Sequence, residues 1–415
     1  MSAVLSRKIV DGLPAGYTGR LGVAVSGGSD SLALLYLLRD LVSERAYELD
    51  VVTVDHGLRP EAAEEAAFVA ETCAALNLPH TTLRWTGWDG QGNTQNAARL
   101  ARYQLIGDWA AARGIPAVAM GHTQDDQAET VLMRLARGAG VDGLSAMLPV
   151  RSGGAVQWVR PMLDISRADL RAMLTARGVT WKDDPTNEDT DYERIRMRQA
   201  LRHLRPLGID AERLALVAGH MAEARDALQH QLYEVVREKV TVRGGAVCMG
   251  WPDFCALPKE TARRFLSAVL KWIGGDGYPP RHTSVTSLMA GLTDDGAATA
   301  AGGQGLVRHD VLWLFREYER VRDVQSAPDA LWDGRWSLLG PSCAPGAYVA
   351  ALGPEGLGAV ENWRDCGMPR AALLATPALW SGGSVLAAPV LQPDCDWSLG
   401  PKSAKDALLA ALLSH

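Results

Sequence analysis

Over roughly the first 180 residues, short apolar runs alternate with longer amphipathic segments. Leu21 to Val25 reads as a buried strand ending in a Ser/Gly turn, and Ser31 to Leu41 as the helix that follows. Leu49 to Val54 is a second strand, closed by Asp55-His56-Gly57, and Glu61 to Leu76 is an alanine-rich helix. A third strand at Thr81 to Trp85, a helix at Thr94 to Arg113 and a strand at Ala117 to Met120 continue the alternation. A helix at Gln124 to Arg137, a strand at Val156 to Val159 and a helix at Ser166 to Arg177 complete it. This order predicts an α/β fold with a parallel sheet covered on both faces. Ligands of such sheets bind beyond the carboxyl ends of the strands.

The pattern breaks at Lys182 to Asn187, where Asp183-Asp184-Pro185 marks a turn. Arg194 to Lys239 reads as mostly helical, with an interruption near Pro206-Leu207-Gly208. Val240 to Glu319 mixes short strands with a helix at Lys259 to Trp272. After a link at Ser326 to Asp329, short strand-like pieces separated by Gly and Pro run to residue 400. At 415 residues the chain is too long for one ordinary core. The expected division is an α/β domain over 1–190, a mainly helical domain over 191–325 and a small mixed α/β domain over 330–415.

Composition narrows the classes. With 47% apolar and 22% charged residues the chain is globular, not disordered. A formal charge of −6 excludes a protein basic all over, but leaves room for a local arginine-built face that binds nucleic acid. Cys73, Cys248, Cys255, Cys343, Cys366 and Cys395 form no C-x-x-C pair, so neither a disulfide framework nor a zinc site is expected. Arg7 and Lys8 are followed by no signal-type apolar run, and no run is long enough to span a bilayer. A soluble cytoplasmic protein is the expectation. Oligomeric state stays open, a homodimer being the commonest closed assembly.

Three constellations carry chemistry. Ser26-Gly27-Gly28-Ser29-Asp30-Ser31 lies between a buried strand and a helix. Its glycines allow close backbone approach, its serines add hydroxyls, and the helix N-terminus favours an anion, which together make a phosphate cradle. It is not a Walker A loop, since no Gly-Lys pair occurs in the chain. Gly121-His122-Thr123-Gln124-Asp125-Asp126-Gln127-Ala128-Glu129-Thr130 starts at a strand end and runs into a helix. Asp125 and Asp126 share a helical face with Glu129, a set able to hold Mg²⁺ or an ammonium group. Read blandly, Thr123 or Asp125 caps the helix and Glu129 is solvated. In Asn96-Ala97-Ala98-Arg99-Leu100-Ala101-Arg102-Tyr103, Arg99 and Arg102 lie one turn apart; either could clamp a phosphate, or both could be solvated.

The serine-glycine segment resembles the PP-loop of the ATP pyrophosphatases, whose fold is adenine nucleotide alpha hydrolase-like. The resemblance tightens when Val54-Asp55-His56-Gly57-Leu58-Arg59, Arg137-Gly138-Ala139-Gly140, Arg160-Pro161-Met162-Leu163, Trp181-Lys182-Asp183-Asp184-Pro185-Thr186-Asn187 and Tyr192-Glu193-Arg194 are read in order. So ordered, the chain is similar to the tRNA(Ile)-lysidine synthetases, specifically over residues 20–200 and more weakly beyond.

That family implies ATP and Mg²⁺ as cofactors, with tRNA(Ile) bearing a CAU anticodon and free L-lysine as substrates. ATP adenylates the C2 oxygen of cytidine 34, and the lysine ε-amine then displaces AMP. By this resemblance Asp30, Arg102, Asp126 and Glu129 are the catalytic candidates, and Asp30 and Asp126 the metal ligands. The nucleotide falls to Ser26, Gly27, Gly28, Ser29, Asp30 and Ser31, with Asp55, His56, Arg99 and His122 around it. Two departures stand out: Thr123 takes the place of a frequent second His, and Ile195 that of Asn in a common R-N-R-I-R block.

Arg194, Arg196, Arg198, Arg202 and Arg205 fall in a stretch without an acidic group and would supply salt-sensitive phosphate contacts to tRNA. A solvated arginine-rich helix is as good a reading from spacing alone. Two rivals remain: a PP-loop tRNA thiolase, which usually calls on paired cysteines absent here, and a non-catalytic RNA-binding protein with a decayed loop.

Overall fold

The computed structural model describes residues 2–14, 16–45, 47–57, 61–86, 94–154, 156–182, 193–275, 279–343, 345–401 and 404–413. Leu58, Arg59, Asp183 to Asn187 and Tyr192, all singled out from sequence, lie outside the described residues. The chain divides into two units, 1–226 and 227–414, the division falling inside a long helix.

The first unit opens with α1 (Ser2–Asp11), β1 (Gly19–Ala24), α2 (Ser29–Arg45), β2 (Tyr47–Asp55), α3 (Glu61–Ala75) and β3 (His80–Arg84). It continues with α4 (Thr94–Ala112), β4 (Ala117–Met120), α5 (Gln124–Ala136), the short α6 (Val141–Leu144), β5 (Val150–Gly153), β6 (Val156–Val159) and α7 (Arg167–Ala176). Then come α8 (Glu193–Leu204), a single 3₁₀ turn and α9 (Ala211–Lys239). Gly208 at φ 82° ends that turn, which accounts for the interruption expected near Pro206.

The six strands lie in the order β3-β2-β1-β4-β6-β5. Every pairing is parallel except β5 with β6, an antiparallel edge hairpin. The expected parallel sheet is therefore present, with one extra strand: Val150-Arg151-Ser152-Gly153 has little apolar side chain to signal it.

Both faces are buried, as alternation along the strands shows. Val51, Ala117 and Ala119 join a core with α1, α2, α3 and α7, whereas Val52, Val118 and Met120 join Ile106, Trp109 and Ala110 of α4 on the other face. From β1 the chain passes to β2 and β3 on one side and later to β4 on the other. The crevice at the ends of β1 and β4 is thus the topological switch point, where ligands of open α/β sheets bind.

In the second unit, strands 240–243, 246–250, 311–316, 303–308 and 297–300 form an antiparallel sheet packed on helices Lys259–Gly274 and His282–Gly291. Leu408 and Leu412 of the helix Ala404–Leu413 enter the same core. A four-stranded sheet over 325–387 buries Trp380 against Cys248, Trp313 and Phe315 of the first sheet, while Trp332 and Trp336 are buried in a second cluster. Among the described residues no helix is long and apolar enough to cross a membrane.

Gly121 decides how closely the β4 end approaches the β1 loop. A Cβ there would lie 3.0 Å from Ser31 Cα and 3.1 Å from Ser31 N, so backbone would have to give by a few tenths of an ångström. Gly121→Ala should therefore overpack the junction by about 1–3 kcal/mol. We expect a lower thermal midpoint together with weaker nucleotide binding, measured by melting and by calorimetric titration.

Candidate active site

The β1 end is held by Val25 N–H, which donates to Val52 O at 2.9 Å. Gly27 then turns the chain at φ 87°, a backbone region that favours glycine. Ser31 staples the loop from inside: its Oγ accepts from Ser26 N–H at 3.1 Å, donates to Gly28 O at 3.1 Å and lies 3.3 Å from Ser26 Oγ. The first turn of α2, whose N–H groups have no partner within the helix, lines the crevice through Ser29, Asp30 and Ser31. Lys182 N–H donates to Gly27 O at 3.0 Å, which brings the chain beyond α7 back across the loop.

Around the loop lies a cavity of about 1000 Å³. Val52, Val54, Ile106 and Met120 supply apolar wall, and Arg102, Arg167, Arg171, Lys182, Arg198 and Arg202 supply cations. A cleft so lined concentrates a polyanion such as a triphosphate.

Three carboxylates meet on one guanidinium. Arg167 Nε donates to Asp30 Oδ2 at 2.8 Å, its Nη2 lies 3.4 Å from Asp126 Oδ1 and its Nη1 3.7 Å from Glu129 Oε1. Arg198 Nε donates to the same Glu129 oxygen at 2.9 Å. Burial alone would raise Asp126, but Arg167 and the Thr123 N–H outweigh it and hold the group below the ordinary carboxylate range. Glu129 is only 1% exposed. Burial and the neighbouring Asp126 push it up, against Arg198 and Arg167. Burial would lower Arg167, but Asp30, Asp126 and Glu129 raise it and keep it charged.

Of the other residues expected from sequence, Ser26, Gly28, Ser29, Ser31, His56, Arg102 and His122 line the cavity. Asp55 does not: its Oδ1 accepts from Gly57 N–H at 2.9 Å and Arg84 stands 3.7 Å from its Oδ2, so it shapes the turn that presents His56. Arg99 is exposed and lies over the Tyr103 ring at 5.2 Å. Asp125 turns aside to accept from Arg167 N–H at 2.7 Å. Within α8 the arginine stretch divides, Arg198 and Arg202 lining the cavity and Arg196 exposed away from it, while Arg205 is exposed in the 3₁₀ turn that follows. Arg194 acts through its charge on His122, Arg102 and Asp126. Ile195 is buried, so the position is one of packing.

Sequence reasoning missed Arg167 and Arg171, and gave Lys182 no role of its own. Arg171 Nε donates to Ser29 Oγ at 3.2 Å. One signal was available: two arginines four apart, the first at a helix N-terminus, where a cation opposes the dipole.

Burial pushes His122 down to about 3, with Asp126 opposing and Arg160, Arg194 and Arg102 adding to the fall. An unfolded histidine near 6.5 then binds the proton more readily than the folded one. The stability this neutral imidazole contributes is complete above pH 6.5 and is lost as pH falls toward 3. Denaturant midpoints should drop between pH 7.5 and pH 5, and His122→Gln should flatten that drop.

The geometry can be set beside known proteins. The PP-loop domain family matches residues 3–204. A tRNA(Ile)-lysidine synthase of Ruegeria pomeroyi is 47% identical over 95% of this chain and 94% of its own length. One of a Bradyrhizobium species is 39% identical over 69% of this chain and 84% of its own. Among solved structures, the U34-tRNA thiolase NcsA from Methanococcus maripaludis is 16% identical and covers 53% of this chain and 79% of its own, with a TM-score of 0.47. With such identity over almost the full length of both sequences, the chain belongs to the tRNA(Ile)-lysidine synthase family of PP-loop, ATP-dependent ligases.

Proposed function

We propose that this chain joins the ε-amine of free lysine to C2 of cytidine 34 in the CAU anticodon of tRNA(Ile), in two steps at the cavity described. The meeting of the Ser26–Ser31 loop with Asp126, Arg167 and Arg198 around one polyanion-sized space carries this reading. In the first step the C2 oxygen attacks the α-phosphorus of ATP and pyrophosphate leaves. In the second the amine attacks C2, AMP leaves with the oxygen, and the amine gives up a proton.

The loop and the α2 N-terminus would hold the pyrophosphate portion, with Arg171 and Lys182 beside it. Arg102 presents a half-buried guanidinium whose Nε has no partner among the described residues, suited to the charge that builds at the adenylated oxygen. Glu129, raised by burial, is the stronger proton acceptor of the cluster and the better partner for an amine.

Mg²⁺ fits as far as the donors go. Asp30 and Asp126 bring hard oxygens from two elements to a single cation, and Glu129 Oε2 beside them has no partner among the described residues. Among those residues no three acidic, His or Cys side chains form a metal site alone, in keeping with an ion held by one or two carboxylates plus phosphates. When bound it would neutralise charge on the reacting phosphate. Residues 191–325 and 330–415 are assigned to gripping the tRNA, and the cytoplasm is the proposed compartment.

The test is incubation with a CAU-bearing isoleucine tRNA, ATP-Mg²⁺ and labelled lysine. Label should enter the tRNA; its absence, with sulfur entering from another donor, would sink the reading. Asp30→Ala and Asp126→Ala should each reduce transfer by about 10²–10³-fold while tRNA binding survives.

The outward arginines make a separate prediction. Arg196→Ala with Arg205→Ala should weaken tRNA binding and reduce its salt slope by about 1 for each phosphate no longer neutralised. An unchanged slope removes these two arginines from the tRNA interface.

A further inference from the structure

Arg167 stands where a helix start least favours a cation, yet its side chain is only 18% exposed and meets carboxylates from two helices. Its root is fixed. The backbone N–H is held by Asp125 Oδ2 at 2.7 Å, and the Ser166 side chain caps α7 by accepting from Asp169 N–H. Among the described residues its tip is held by the carboxylates alone. A divalent ion taking oxygens of Asp30 and Asp126 would meet this guanidinium directly, because both cations would share the same oxygens. The displaced fork would need another anion, and a triphosphate in the adjoining cradle offers bidentate oxygens.

We infer that Arg167 is a positioning residue that couples metal to nucleotide: it occupies the Asp30/Asp126/Glu129 cluster in the free protein and passes to the phosphates when the metal enters. The inference rests on the reading of the cavity as a Mg²⁺-ATP site, not on the identity of the acceptor. It makes metal alone a poor ligand, and by reciprocity each ligand raises the affinity for the other.

The experiment uses the full chain without tRNA or lysine. Mn²⁺ is titrated and its free signal read by electron paramagnetic resonance, with and without α,β-methylene-ATP, corrected for Mn²⁺ chelated by free analogue. The wild type should bind Mn²⁺ alone weakly and markedly tighter with the analogue. In Arg167→Gln, Mn²⁺ alone should bind about tenfold tighter and the analogue should add little. Arg167→Lys, which keeps a charge but loses the fork, should fall between and guards against a poorly folded first variant. Adding Asp126→Asn to Arg167→Gln should abolish the gain and so locate the ion in the cluster. Unchanged or weaker Mn²⁺ binding in both Arg167 variants, or equal tightening by the analogue in all three proteins, overturns the inference. Because neither lysine nor tRNA is present, a failed ligation assay leaves this result untouched.

Discussion

Asp30, Asp126 and Glu129 can crowd together beside a half-enclosed cavity only because guanidinium groups stand among them. Buried like charges repel strongly, and a buried carboxylate without a partner is destabilising by several kcal/mol at the order of magnitude. The architecture meets that demand from three directions. Helix α2 carries Asp30 from the end of β1, α5 carries Asp126 and Glu129 from the end of β4, and α7 crosses to insert Arg167. The absence of a side chain at Gly121 lets the β1 and β4 ends come close enough for this to happen. The sheet order therefore does more than hold the unit together: it sets the distance between acids that begin far apart in the chain.

The same crowding separates the acids chemically. Asp126 is held ionised by Arg167 and a backbone N–H, while Glu129, more deeply buried, is raised. Two carboxyl groups one helical turn apart thus acquire different tasks from their surroundings, one suited to a cation and one to a proton. His122, kept neutral by burial among arginines, adds no positive charge to the wall.

Much of the first unit was legible because its strands are buried on both faces and its helices are long, so apolar runs and helical spacing alternate cleanly. The loop and the acidic block were legible because their residue types are unusual at strand ends. The edge strand β5 was not, for Val150-Arg151-Ser152-Gly153 is exposed and carries no period. Nor was the division of the arginines. Spacing shows that Arg194, Arg198 and Arg202 share a stripe, but not which way the stripe faces until α8 packs on α5 and buries Ile195. Arg167 was hidden for a related reason. Its partners lie 137 and 41 or fewer residues away in sequence, and no local pattern records a contact made only through the fold.

The acidic block also shows why a bland and a functional reading of one motif need not compete. Asp126 Oδ2 accepts from both the N–H and the hydroxyl of Thr123 at 2.8 Å, which is a helix cap in the ordinary sense. That use leaves the other oxygen, Oδ1, turned toward Arg167 at 3.4 Å. The cap fixes the rotamer, and the fixed rotamer aims the free oxygen into the cavity. Thr123, which departs from the family's frequent His, supplies the hydroxyl this arrangement uses. A carboxylate restrained through one oxygen loses little freedom when the other takes up a cation, so the structural bond is what prepares the functional one.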